Sequence, residues 1–259
     1  MRGTIKDRLQ SGDVLIGPVL NIVHPTMVEL CCGAGADFLF IDFEHGLRDY
    51  SDVANALITA ELDGVPALVR LGERSANLVA RMLDAGAAGI LFPHVSTAAE
   101  AAELVSWCRY KPLGVRGSGF ARATLRHEGS EYERRQAASQ QVACIMIIES
   151  LEGKDNLAEI LAVDGVTGVA IGPGDLSLEL GISDWNDRRI IQLLDEMAAV
   201  VKQTPGRALL RLALTSEEAA AHVARGANMI LVTHDTHLIK NMYAGIFRNF
   251  RQDIIDDVT

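Results

Sequence analysis

Short runs of consecutive apolar residues recur along the chain at 14–20, 38–42, 67–70, 89–92, 143–149, 168–171, 208–212 and 229–232. Runs this short, apolar at successive positions rather than at alternate ones, predict strands buried on both faces, as in a parallel sheet. Between them the apolar residues fall on one helical face, as in Val53, Ala56, Leu57 and Ala60, or Leu78, Val79, Met82 and Leu83. A short helix over 5–10 precedes the first strand. Strand and helix therefore alternate, which implies right-handed crossovers between parallel strands, and eight such units close most naturally into a (β/α)8 barrel.

Two stretches do not fit a minimal barrel. Residues 111–141, before the fifth strand, read as a long irregular loop rich in glycine and charge, a kind of segment that usually serves function or assembly. The last helix, 238–255, carries one apolar row at Leu238, Met242, Ile246, Phe250 and Ile254 and another at Ile239, Tyr243 and Phe247. A barrel can bury only one row, so the other is expected to meet a partner subunit.

With 259 residues and 49% apolar content, the chain can fill the core of one barrel domain spanning 1–259. No apolar run is long enough to cross a bilayer and the first residues lack a signal-peptide core, so a cytoplasmic protein without membrane contact is expected. Cys31, Cys32, Cys108 and Cys144 have no metal-type spacing and read as reduced, structural residues. A net charge of −10 argues against a nucleic-acid partner. The densest basic run, 116–126, contains only Arg116, Arg122 and Arg126.

In a barrel the chemistry gathers at the carboxyl ends of the strands. The candidates there are Asp42 with His45, Arg70, His94, Glu149, Asp175, Arg211, and His234 with Asp235. Asp42 and His45 can form an acid/base pair, because a carboxylate orients an imidazole and raises its proton affinity. Glu149 and Asp175 end adjacent strands and can converge on one ion, where two carboxylates with open positions suit Mg²⁺, Mn²⁺ or Co²⁺ better than a closed zinc site. The plainer readings are an ion pair with arginine for Glu149 and a helix N-cap for Asp175. The Gly-Pro-Gly turn at 172–174 opens a helix and presents backbone N–H groups able to receive a carboxylate. The loops at 213–217 and 233–237 contain no glycine, so the usual barrel phosphate site is not recognisable and a small carboxylate substrate is preferred. No lysine ends a strand, which leaves a Schiff-base mechanism without a nucleophile and favours metal catalysis.

Taken in order, Asp-Phe-Glu-His-Gly at 42–46, Pro-Ala-Leu-Val-Arg ending at Arg70, Leu-Asp-Ala-Gly-Ala at 83–87, Arg-Tyr-Lys-Pro-Leu-Gly-Val-Arg-Gly at 109–117, Ile-Glu at 148–149 and Gly-Pro-Gly-Asp-Leu-Ser at 172–177 resemble the HpcH/HpaI family of metal-dependent pyruvate aldolases. The resemblance implies a class II aldolase that reversibly cleaves a 4-hydroxy-2-oxo carboxylate, through a metal-stabilised enolate, into pyruvate or a close 2-oxo acid and an aldehyde. It implies Glu149 and Asp175 as ligands of a divalent ion (Mg²⁺, Mn²⁺ or Co²⁺, with Zn²⁺ a further candidate), Arg70 as the enolate-stabilising group, and His45 supported by Asp42 as the acid/base. Gly174 and Asp175 would hold the substrate carboxylate, and Asp84 would reach a neighbouring active site in a trimer of dimers; the plainer reading of Asp84 is a helix-surface carboxylate. The chain departs from some relatives at Ile147, where they carry a glutamine, and at Thr233, His234 and Asp235, where they tend to have Gly-Val before the aspartate. With His94, Arg122 and His237 these residues suggest a mouth suited to a particular aldehyde. Open alternatives are a 2-oxo acid decarboxylase or acyl-CoA lyase using the same chemistry, and a 2-oxo-acid-binding sensor without turnover.

Overall fold

The computed structural model describes residues 3–258 apart from 47, 120 and 186, with side chains at all of these but 253 and 255–258. Eight parallel strands close a barrel in sequence order: β1 (Leu15–Leu20), β2 (Leu39–Phe43), β3 (Ala67–Leu71), β4 (Gly89–Phe92), β5 (Ala143–Ile148), β6 (Gly168–Ile171), β7 (Ala208–Leu212) and β8 (Met229–His234). The first helix, α1 (Ile5–Gln10), closes the amino-terminal end by packing Ile5 and Leu9 onto the barrel interior. After β1 to β4 come α2 (Pro25–Gly33), α3 (Tyr50–Leu62), α4 (Ala76–Ala85) and α5 (Ala98–Trp107). Next are α6 (Glu131–Gln141) before β5, α7 (Leu151–Asp155) and α8 (Leu157–Ala162) after it, and α9 (Pro173–Glu179) and α10 (Arg188–Lys202) between β6 and β7. The series ends with α11 (Ser216–Ala224) and α12 (Asp235–Val258).

Side chains alternate across each strand, and this alternation decides what reaches the site. Leu39 and Ile41 face the helices, whereas Phe38 and Phe40 pack inside the barrel with Leu68, Leu91, Ile145, Ile147, Ala170 and Leu210. Continuing the inward series by two residues gives Asp42 above Phe40, Arg70 above Leu68 and Glu149 above Ile147. The apolar interior therefore ends in a polar layer at the carboxyl end. The same rule turns Arg211 outward from β7: it is buried, and the charges that act on it are those of Asp195 on α10 and of Arg225 just after α11. This strand-end candidate belongs to the packing between helices and sheet.

The stretch at 111–141 is more ordered than its composition suggests. A 3-10 turn spans Arg122–Arg126, and α6 begins at a capping box in which Ser130 and Glu133 satisfy each other's backbone N–H groups. The basic run within it neutralises local acids: Arg116 donates to Asp84 at 2.6 Å, while Arg122 and Arg126 both pair with Glu61. Arg122 is thus tied to α3 and does not stand at the barrel mouth.

The last helix departs from expectation in the other direction. Leu238, Met242, Ile246, Phe250 and Ile254 are all exposed, as are Tyr243 and Phe247 of the second row, and only Ile239 is half-buried. The barrel covers neither row, because α12 contacts it mainly through β1 and β8 and then runs on for the rest of its 24 residues. Among the described residues no helix is long and apolar enough to cross a membrane.

Candidate active site

The polar layer is a linked series of side chains that runs around the carboxyl end of the barrel. Asn21, the residue after β1, donates through Nδ2 to Asp42 Oδ2 at 2.9 Å, and its Oδ1 lies 2.7 Å from His234 Nδ1. Asp42 is fully buried and receives Arg70 in bidentate fashion, from Nε at 3.0 Å and Nη2 at 2.9 Å. Burial alone would push its carboxyl up, but the Arg70 guanidinium and the backbone N–H groups of Glu44 and His45 hold it below the usual carboxylate range. The remaining Arg70 nitrogen, Nη1, reaches Glu44 Oε2 at 3.1 Å. Glu44 Oε1 lies 3.4 Å from His94 Nε2, and His94 Nδ1 lies 2.7 Å from Glu149 Oε1.

Asp42 touches His45 through the backbone N–H, not through the imidazole. The ring stands 71% exposed with Nε2 3.6 Å from Glu44 Oε2, so the carboxylate nearest the ring is Glu44. Asp42 is instead committed to Arg70 and Asn21, whose geometry it fixes. Reasoning from sequence passes over Asn21 and gives Glu44 no role of its own. Both were in plain view: Asn21 is the first polar residue after β1, and Glu44 stands inside the 42–46 motif.

Among the described residues Glu149 pairs with no arginine. It accepts the His94 backbone N–H at 2.7 Å as well as facing the His94 ring. Burial, with Asp175 and Glu44 nearby, raises its carboxyl above the usual value, although the His94 contacts work in the opposite direction. Asp175 is not the N-cap of α9, which is Gly172, and its exposed side chain faces the same space. His94, Glu149 and Asp175 offer three donor atoms within 4.8 Å of one another. Gly172 makes room for them, since a Cβ there would lie 3.0 Å from Glu149 Oε2 and Cβ. Two carboxylates and one imidazole converging in this way fit a divalent cation. Gly174, in the first turn of α9, has nothing within 4 Å of where a Cβ would stand.

The rim residues divide. Asp235 is buried and accepts the backbone N–H groups of Asn21 at 3.0 Å and Ile22 at 2.8 Å, tying the start of α12 to the loop after β1. The pairing of β1 with β8 steps from Gly17↔Leu231 to Val19↔His234, so β8 carries an extra residue there, and Thr233 adopts φ 100°. A left-handed backbone is a natural place for glycine and an uncommon one for threonine. The bulge sets His234 beside Asn21; burial lowers the proton affinity of its ring. His237 stacks edge-on to His234 with 6.1 Å between ring centres. Asp84, near the distal end of α4, accepts from Arg116 and is not among the groups at this chain's own mouth.

Residues 19–242 match the model of the HpcH/HpaI aldolase/citrate lyase family. The chain belongs to that family. It is 34% identical over 251 residues to the hydroxypyruvate/pyruvate aldolase of Roseovarius nubinhibens, covering 96% of this chain and 97% of that protein. It is 36% identical over 234 residues to the 2-keto-3-deoxy-L-rhamnonate aldolase of Escherichia coli, covering 90% and 87% respectively. Among solved structures, the HpcH/HpaI aldolase from Desulfitobacterium hafniense superposes with a TM-score of 0.90 at 27% identity, covering 96% of each chain. This HpcH/HpaI protein is accordingly a carbon–carbon lyase of aldolase type, from a divalent-metal-dependent family.

Proposed function

We propose that this HpcH/HpaI enzyme reversibly cleaves a 4-hydroxy-2-oxo carboxylate into pyruvate, or a close 2-oxo acid such as hydroxypyruvate, and an aldehyde. The observation that carries this reading is Arg70, fixed at the barrel mouth by Asp42 and Glu44 next to the paired metal donors Glu149 and Asp175. Glu149 and Asp175 would hold a divalent ion, which would supply Lewis acidity for forming the enolate of the 2-oxo acid. The chain's own groups supply the rest. Arg70 donates from Nε to Asp42 and lies in ion-pair contact with Asp42 and Glu44 through Nη2 and Nη1, and the second N–H on each of these terminal nitrogens is available to the oxygen on which enolate charge develops. Gly174 and Asp175, in the first turn of α9, have N–H groups without partners inside the helix, and these receive the substrate carboxylate.

His45 moves the proton of the aldol hydroxyl. Its exposed imidazole reaches out from Glu44 to where the aldehyde fragment departs, and Asp42 holds the backbone that carries it. Ile147 packs in the interior beneath Glu149 and offers no hydrogen bond to the oxo acid, so recognition falls on the groups above it. Incubating the protein with pyruvate or hydroxypyruvate and a panel of aldehydes, with Mg²⁺, Mn²⁺, Co²⁺ or Zn²⁺ in turn, is expected to yield new 4-hydroxy-2-oxo acids. Binding of pyruvate with no adduct formed from any aldehyde would identify a sensor instead.

Assembly forms part of the proposal. Leaving Met242, Tyr243, Phe247 and Phe250 in water forfeits roughly 1.5–3 kcal/mol per large side chain, and a second copy of this chain is the simplest cover. A homo-oligomer, a trimer of dimers, would also let Asp84 complete a neighbouring mouth. Truncation before Leu238 is expected to lower the mass measured by light scattering and the activity together. A truncated protein of unchanged mass and full activity would remove α12 from both roles.

A further inference from the structure

We infer that His94 is a third, nitrogen ligand of the divalent ion, oriented by Glu44; this rests on the metal-dependent reading of Glu149 and Asp175 given above. The two ring nitrogens of His94 each face a carboxylate: Nε2 lies 3.4 Å from Glu44 Oε1 and Nδ1 lies 2.7 Å from Glu149 Oε1. A neutral imidazole has a single N–H and can donate it to only one of them. Nδ1 and Glu149 Oε1, two electron-pair donors 2.7 Å apart, are close enough to share one cation, and with Nε2 turned toward Glu44 it is Nδ1 that faces the metal position. The third donor needed to define a metal position is present, since Asp175 lies within 4.8 Å of both.

Several features hold the ring in this attitude. His94 adopts φ 57°, a left-handed conformation uncommon for a residue with a side chain, and its carbonyl accepts from Arg74. Its backbone N–H is bound to Glu149 Oε1, so the peptide and the ring approach the same carboxylate. Glu44, the acceptor at Nε2, is itself anchored by Arg70 at 3.1 Å. A carboxylate on the far nitrogen of a metal-bound histidine fixes its tautomer and strengthens it as a donor. The expected consequence is metal preference. A nitrogen among oxygen donors favours Mn²⁺, Co²⁺ and Zn²⁺ over Mg²⁺, which prefers an all-oxygen shell.

The test uses the intact protein loaded with Mn²⁺ and electron spin-echo modulation, which detects nitrogen bound directly to the ion. The wild type is expected to show ¹⁴N modulation that becomes a ¹⁵N pattern when histidine alone is ¹⁵N-labelled. In His94→Ala the modulation should vanish while Mn²⁺ remains bound about tenfold or more weakly, with less advantage over Mg²⁺. If that variant fails to fold, the labelled wild type still tests the inference when compared with His45→Ala: a histidine pattern that persists there supports His94, and its absence from the wild type overturns it. Mn²⁺ whose binding depends on Glu149 but which shows no nitrogen modulation would overturn the inference and leave the metal site standing, as would modulation that survives in folded His94→Ala. Mn²⁺ binding indifferent to Glu149→Gln would overturn both.

Discussion

Replacing Arg70 by alanine is expected to lower aldol cleavage by at least ~10²-fold, the scale for removing one preorganised donor from a developing oxyanion. The same variant should lose deuterium exchange at the methyl group of pyruvate, because that exchange passes through the enolate without needing an aldehyde. The structure makes the effect specific. Arg70 stacks 5.6 Å over the ring of Phe40 and is gripped by Asp42 and Glu44, so its guanidinium cannot be replaced by a shifted neighbour. Lysine in its place carries the charge but not the fork, and should recover little. His45→Ala, by contrast, should retain measurable exchange while cleavage falls, since the proposed task of His45 begins with the aldol hydroxyl. An Arg70→Ala enzyme with unchanged kcat and a raised KM would mean that Arg70 only anchors the substrate, and the proposed main step would be wrong.

Exhaustive chelation is expected to abolish activity, and a divalent ion to restore it. The mouth gathers four carboxylates, Asp42, Glu44, Glu149 and Asp175; Arg70 pairs with the first two, while Arg48 and Arg74 are bound to backbone carbonyls beside the layer. An anionic 2-oxo acid has little reason to enter such a site without an added cation. Glu149→Gln keeps the shape while removing a charge and a proposed ligand, and should weaken metal binding and activity together. Acid should act in the same direction, because burial already raises the Glu149 carboxyl and protons compete with the ion for it. Calorimetric titration of stripped protein with Mn²⁺ measures the first effect directly. Full activity after chelation, with metal removal verified by elemental analysis, would end the class II assignment.

The barrel is legible in the sequence because each strand is apolar on both faces and each is followed by a helical pattern. Arg70 and Glu149 are legible for a related reason, being the first charged residues at the tops of apolar runs. Partner choice is harder to read. That Asp42 serves Arg70 and Asn21 while Glu44 faces His45 depends on the barrel's curvature, which no local pattern encodes. His94 reads as a rim residue because its position depends on a left-handed backbone just after β4. Stretch 111–141 is misread for a compositional reason: α6 has a strongly polar sequence, Glu-Tyr-Glu-Arg-Arg-Gln, and shows almost no apolar stripe. In α12 the two rows are visible, but their exposure is decided by where the barrel ends.

The linked polar layer also bears on how this mouth can diverge. Asn21, Asp42, Arg70, Glu44 and His94 each touch two neighbours in the series and Glu149 touches His94, so a substitution at any one disturbs the groups beside it, and a second substitution is judged against a background the first has altered. Effects among these six should depart from additivity, as they do for residues sharing one network. Variation of the proposed aldehyde substrate is therefore cheapest outside the chain of contacts, at positions such as exposed His237. One barrel can in this way keep a fixed reaction while its repertoire of substrates drifts.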